Sequence, residues 1–315
     1  IAILLHDIGH GAFSHALEHS IVSGISHEEI SLKFMHKLNG IFDNKLTLAI
    51  EIFEGKYHRN FFYQLISSQL DIDRLDYLKR DSFYTGVTEG NISSDRLISM
   101  MTVKDDALVI EKKGIYSVEK FIIARRLMYW QVYLHKTCLV AEVTLVNVLK
   151  RAKELAKQNV VLPCSLYLRY FLYNSIDAHN FGEDTLEMFS KLDDYDVLSA
   201  IKEWTTHDDF ILSNLSKMII NRDLFKIEIQ DKAFSEKHKV KIKNKLTDLY
   251  HVNDNDLNYF MYYGRVVNQA YNSISPIKII TKRGKVKDIA KESDQLNIKA
   301  LSKAVVKYYS CYPKN

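Results

Sequence analysis

Proline, glycine and cysteine are all scarce in this 315-residue chain, which has 3 Pro, 11 Gly and 3 Cys. Sandwiches and barrels of many short strands need turn residues about every 8–12 positions, so this shortage favours a mainly α protein. The cysteines, Cys138, Cys164 and Cys311, are odd in number and form no CxxC pair. That speaks against a disulfide framework and a thiolate zinc site, and points to a reducing, cytoplasmic compartment. No apolar run reaches the roughly 18 residues that a membrane span requires, so none is expected. Charge of one sign is also missing: 43 basic and 39 acidic side chains leave +4. That balance suits anionic ligands but falls short of the footprint of a dedicated DNA binder.

The start is unusual as well. Ile1–Leu5 is an apolar run without Met, basic n-region or cleavage site, so it does not read as a signal peptide. It runs straight into a His-Asp pair, and the chain reads as N-terminally truncated.

What is present is an ordinary globular composition, 47% apolar and 26% charged, with length enough to bury a core. Apolar periodicity predicts helix over residues 1–20, 27–38, 44–56 and 60–81. Short strands follow at 101–104, 107–112 and 114–117, with Asp105-Asp106 as a turn, and then one long helix from Val118 to Gln158. Further helices are expected at 165–177, 183–191, 194–205, 207–220 and 294–308, with β character at 224–229, 252–263 and 277–286. This divides the chain into a helical domain, 1–220, and a mixed α/β lobe, 221–315, with a regulatory or oligomerisation role.

Three clusters carry chemistry. Six of the 12 histidines, His6, His10, His15, His19, His27 and His36, fall in the first 36 residues. His6 and Asp7 are adjacent, and His10 would sit one helical turn beyond His6. Imidazole and carboxylate without thiolate suit Mn, Fe, Zn or Mg; satisfied surface histidines are the bland alternative. The second cluster runs from Asp71 to Asp81. Asp73, Tyr77 and Asp81 recur every four residues, with Asp76 and Arg80 beside them. It reads either as a solvated ion-paired face or as the carboxylate that completes a metal site. In the third, Arg125, Tyr129 and Tyr133 recur at the same spacing. They could grip a phosphate and flank a sugar, or pack as aromatic core.

Leu5-His6-Asp7-Ile8-Gly9-His10-Gly11-Ala12-Phe13-Ser14-His15, followed later by Asp71-Ile72-Asp73-Arg74-Leu75-Asp76-Tyr77 and Arg80-Asp81, resembles the paired signature of the HD-domain phosphohydrolases. Within that superfamily it is most similar to the SAMHD1-like deoxynucleoside triphosphate triphosphohydrolases, over about residues 1–136. The resemblance implies an HD helical bundle holding one divalent metal ion on His6, Asp7 and Asp73, with a further His ligand upstream of this chain. It places His10, His15, His27, Glu28 and Glu18 near the reacting phosphate, Glu18 standing where relatives often have Asp. Arg74, where relatives often have Lys, would contact phosphate together with Tyr77 and Arg125, while Asp81 and Tyr133 would surround the sugar. Tyr129 stands where some relatives have His. The implied reaction converts a deoxynucleoside triphosphate and water into deoxynucleoside and triphosphate, in a homo-oligomer open to an activating nucleotide. Two other readings remain. One is another HD enzyme acting on a nucleoside monophosphate or a cyclic or signalling nucleotide. The other is a non-catalytic regulator that binds nucleotide or nucleic acid through the lysine groups at 226–245 and 278–291, which otherwise form a solvated surface.

Overall fold

The computed structural model describes residues 1–14, 16, 20–250, 253–294 and 297–314, without the side chains of 23, 254, 297 and 299. Helices dominate and the sheets are small, so the protein is mainly α, as its composition predicts. The chain divides into two compact units. The first takes Ile1–His6, Met35–His135 and Val267–Val306; the second takes Asp7–Phe34, Lys136–Val266 and Lys307–Asn315. Residues 221–315, expected as one lobe, are therefore shared between the two.

In the first unit the helix Ile72–Thr85 is built by its ends. Asp71 caps it, its carboxylate accepting from the Arg74 backbone N–H at 2.8 Å, and Gly86 ends it in the left-handed region at φ 71°. Leu75 and Leu78 lie on its buried face. They join Val118, Phe121, Ile122 and Met128 of the helix Ile115–Met128 in one apolar cluster. Each such side chain contributes roughly 1.5–3 kcal/mol by leaving water. The same cluster takes Tyr271, Ile277 and Ile279 from far along the chain.

Met101–Lys104 and Ala107–Glu111 form the expected antiparallel hairpin, Met101 opposite Ile110 and Lys104 opposite Ala107. Asp105 and Asp106 turn it with φ of 49° and 56°, the left-handed pair that a two-residue hairpin loop requires. Residues 114–117, expected as strand, are instead the end of a 3-10 turn and the start of the Ile115–Met128 helix. The hairpin's third partner is Lys278–Ile280, parallel to Ala107–Glu111, and Val286–Asp288 completes a four-stranded sheet.

The second unit is largely helical, with Lys136–Lys157, Leu166–Tyr173, Asp194–Trp204 and Phe210–Ile220 burying Val148, Leu149, Phe171, Trp204 and Leu212. Lys153 ties the segments together. Its ammonium donates to the carbonyls of Ile21, Phe171 and Asn174 at 3.0, 2.6 and 2.8 Å. Lys226–Gln230 pairs antiparallel with Val305–Tyr312 in a three-stranded sheet, so the helix expected over 294–308 gives way to strand in its last residues.

Other predicted helices are corrected as well, the one expected over 60–81 being two, Asn60–Ile66 and Ile72–Thr85. The first 20 residues do not form one helix: Ala2–Leu5 is helical and turns follow. Gly9 and Gly11 favour this break, and Phe13 and Ser14 take left-handed φ of 52° and 47°. The long helix from Val118 to Gln158 is interrupted by a π-helical turn at Tyr129–Tyr133, after which Lys136–Lys157 starts afresh. Such insertions shift the register of a helix and concentrate at functional sites.

Candidate active site

His6 follows directly on the helix Ala2–Leu5, and its Nδ1 donates to the Ile3 carbonyl at 2.7 Å. A carbonyl can only accept, so Nδ1 carries a proton, and in the neutral ring Nε2 is the nitrogen that could ligate a metal. That Nε2 lies 3.5 Å from Asp73 Oδ1. A carboxylate facing that nitrogen is satisfied either by a proton on Nε2 or by a metal cation between the two. Imidazole and carboxylate each reach a divalent metal at about 2.0–2.2 Å, so this separation suits two positions on one ion. Asp73 owes its place to the first turn of Ile72–Thr85, and hence to the Asp71 cap. Asp71 is fully buried; burial pushes its carboxyl up, against the opposing pull of the Arg74 guanidinium bonded to it.

A second group lies in the other unit. Asp7 Oδ1 is 3.8 Å from His10 Nε2, the His10 and His27 rings stack at 4.0 Å and 16°, and His27 Nε2 is 3.3 Å from Glu28 Oε1. Asp7, His10 and His27 each offer one ligand atom, all within 4.8 Å of one another. Gly9 makes this possible. Its N–H donates to Ser31 Oγ at 2.8 Å, and a Cβ there would stand 2.2 Å from the His27 carbonyl oxygen. Burial pushes Glu28 up, yet hydrogen bonds from its own N–H and from Ser26, with His27 and His10 beside it, leave its carboxyl below the usual value. His10 is not one helical turn beyond His6, as the sequence predicts, because the helix ends at Leu5. His15 and Glu18 lie outside the described residues.

The remaining expected residues all lie in the first unit. Tyr133 donates to Asp81 Oδ2 at 2.6 Å, and its ring meets those of Tyr77 and Tyr129 edge-on at 5.8 and 5.2 Å. Burial, with Tyr129 nearby, pushes the Tyr77 phenol up; burial and the Asp81 bond do the same to Tyr133. Both therefore stay protonated donors near neutrality. Arg125 is buried, and its guanidinium donates to the carbonyls of Gln69 and Ala270. Burial, then the neighbouring Arg74, lower its pKa, though a guanidinium stays charged. Arg74, Arg125 and Tyr129 line a cavity of about 330 Å³ together with residues of the segment 267–272. Asp76 and Arg80, by contrast, are exposed and bonded to each other at 3.0 and 3.1 Å. For that pair the solvated ion-paired face is the correct description.

A family model described as the HD associated region matches residues 92–162. The structure is similar to that of a phosphohydrolase from Bacteroides thetaiotaomicron, with TM-score 0.95, 51% identity, and coverage of 99% of this chain and 78% of that one. The chain belongs to the HD-domain phosphohydrolase superfamily. It is also 32% identical to the uncharacterized protein YwfO of Bacillus subtilis, over 93% of this chain and 68% of that protein. A deoxynucleoside triphosphate triphosphohydrolase SAMHD1 homolog of Dictyostelium discoideum is 31% identical over 43% of this chain and 30% of its own length.

Sequence reasoning about this HD phosphohydrolase missed Gln69, Ser31 and the segment 267–272. Gln69 carried no signal except its place two residues before Asp71. The Gly9 in the motif did hint at a close backbone approach, though not at Ser31 as the partner. Among the described residues, no single helix is long and apolar enough to cross a membrane.

Proposed function

We propose that this chain is a metal-dependent deoxynucleoside triphosphate triphosphohydrolase, releasing triphosphate and a deoxynucleoside. The observation that carries this reading is the arrangement along one helix. Asp73 meets His6 in its first turn, and two turns on Asp81 meets Tyr133, with the Tyr77 ring between. That sets phosphate chemistry at one end and a sugar-sized aromatic wall at the other. The likeness to the Dictyostelium triphosphohydrolase supports the same substrate class.

His6, Asp73 and the Asp7 that follows His6 in the chain would hold one divalent ion, of the Mn, Fe, Mg or Zn class. When bound, it supplies Lewis-acid polarisation of a phosphoryl oxygen and an acidified water. Water attacks the α-phosphorus and the bond to O5′ breaks. His27, kept beside Glu28, then delivers a proton to O5′, with His10 stacked against it holding the ring in place. His15 and Glu18 are proposed to share that proton transfer. Arg74 and Arg125 stabilise charge on the departing triphosphate. A tyrosine wall against the 2′ carbon leaves no room for a ribose hydroxyl, which gives deoxy selectivity.

The test is product analysis. The full-length protein is incubated with Mn²⁺ and each deoxynucleoside triphosphate, with and without GTP, and the products are separated by anion exchange. Triphosphate and deoxynucleoside are expected. Orthophosphate or pyrophosphate would move the attack to another phosphorus and replace this reading with a different HD phosphohydrolase.

A further inference from the structure

The 330 Å³ cavity beside Arg74 is within the range of ligand pockets, about 300–1,000 Å³. Its cationic wall comes from Arg74, Arg125 and Arg126, and among the described residues no carboxylate lines it. Asp71 is bonded to Arg74, whereas the Arg125 guanidinium donates to backbone carbonyls, with Asp71 acting on it only at a distance. The opposite wall is Val267–Ala270 and Asn272, some 140 residues after Arg125 in the chain.

Asn268 is the anomaly in that wall. It is only 4% exposed, and its side-chain oxygen has no hydrogen-bond partner among the described residues. A buried unpaired carboxamide is costly and calls for a ligand or water. A half-turn of the amide exchanges its oxygen and nitrogen, and Asn268 lines the same cavity as the arginines.

The segment is also held rigidly. Gln69 Nε2 donates to the Asn272 and Ser275 carbonyls, the first at 2.6 Å, and Gln69 Oε1 accepts from the Asn272 N–H at 2.6 Å. Arg125 bridges the carbonyls of Gln69 and Ala270. Two side chains, Gln69 and Arg125, thus tie the second motif to the 267–272 segment, the kind of preorganisation that polyanion binding needs.

We propose that the segment 267–272 completes a polyphosphate-binding subsite, with the Asn268 carboxamide in direct contact with phosphate oxygens. The proposal rests on the triphosphohydrolase reading only in taking the polyphosphate to be the substrate's own tail; a separate nucleotide effector carries the same chemistry.

Isothermal titration with inorganic triphosphate tests it without relying on turnover. The isosteric Asn268→Asp sets a carboxylate among the guanidiniums. It should weaken triphosphate binding at least about tenfold while the thermal midpoint is unchanged or raised. Asn268→Ala should weaken it about threefold. Steady-state kinetics then separates the sources. If the anion is the substrate's tail, triphosphate competes with substrate and Asn268→Asp raises KM at constant kcat. If it is an effector, triphosphate alters kcat without competing. Either pattern supports the subsite. Triphosphate affinity in Asn268→Asp within about twofold of wild type, or no binding to wild type, would overturn it, whatever the enzyme's reaction proves to be.

Discussion

Two imidazole–carboxylate groups stand close together in the sequence and are built in opposite ways. His6 is locked by a backbone carbonyl on one nitrogen, and its partner Asp73 is locked by a helix cap. His10 and His27 are held by ring stacking and by the backbone contact at Gly9, with side-chain carboxylates at their edges. The first arrangement fixes a tautomer and leaves one lone pair, as a metal ligand needs. The second sets one nitrogen of each ring, Nε2, near a carboxylate that can stabilise a gained proton, as a general acid needs. On the proposed reading one motif of a few residues would serve two purposes, and substitutions should separate them.

The largest effect should come from Asp73→Asn, which keeps shape but removes the ligand charge. Turnover should drop at least about 100-fold, while the stacked pair of His10 and His27 keeps its NMR ring-current shifts. Loss of those shifts would mean that the two groups are not independent. Next is Gly9→Ala. The new methyl would press on the His27 carbonyl and Ser31 N–H, positions 2.2 and 2.3 Å from an ideal Cβ. A displacement of about 1 Å costs around 100-fold in rate, so kcat should fall while metal affinity holds. Unchanged kcat would show that His10 and His27 do not act on the reaction. The smallest effect is a control remote from both groups. Glu292 accepts from Lys112 at 2.5 Å and from Lys287 at 2.7 Å, and those two ammonium groups hold its carboxyl at about 2, against an ordinary 4.5. Its folded pKa is depressed, so the stability it contributes is fully present above pH 4.5 and is lost as pH falls toward 2. Acid-unfolding curves of Glu292→Gln should lose that part of their slope and keep their neutral-pH rate.

Much of this was legible because it is local. The helical spacing of Leu75 and Leu78 marks the helix that carries Asp73, although the sequence runs it on from residue 60 and the Asp71 cap and Gly86 stop appear only in the structure. Asp105-Asp106 announces its hairpin by turn chemistry alone. What stayed hidden depends on contacts far apart in sequence. Gly9 and Gly11 hint at a break within residues 1–20, but not that Gly9 would donate to Ser31, 22 positions on. Nothing in Tyr129–Tyr133 announces a π-helical turn, since aromatic residues fit a helix well enough. Asn268 and Gln69 are ordinary amides until the fold sets them at one cavity, 199 positions apart. The sheet shows the same limit: residues 277–286 read as β from the sequence, but the pairing of Lys278–Ile280 with Ala107–Glu111 did not.

The central claim is that His6 and Asp73 share one divalent cation. Mn²⁺ titration of the full-length protein, followed by electron paramagnetic resonance of the free ion, tests it directly. The account predicts one tight equivalent in wild type and its loss in Asp73→Asn, with His10→Gln still binding one. An equal tight equivalent in Asp73→Asn would contradict the account.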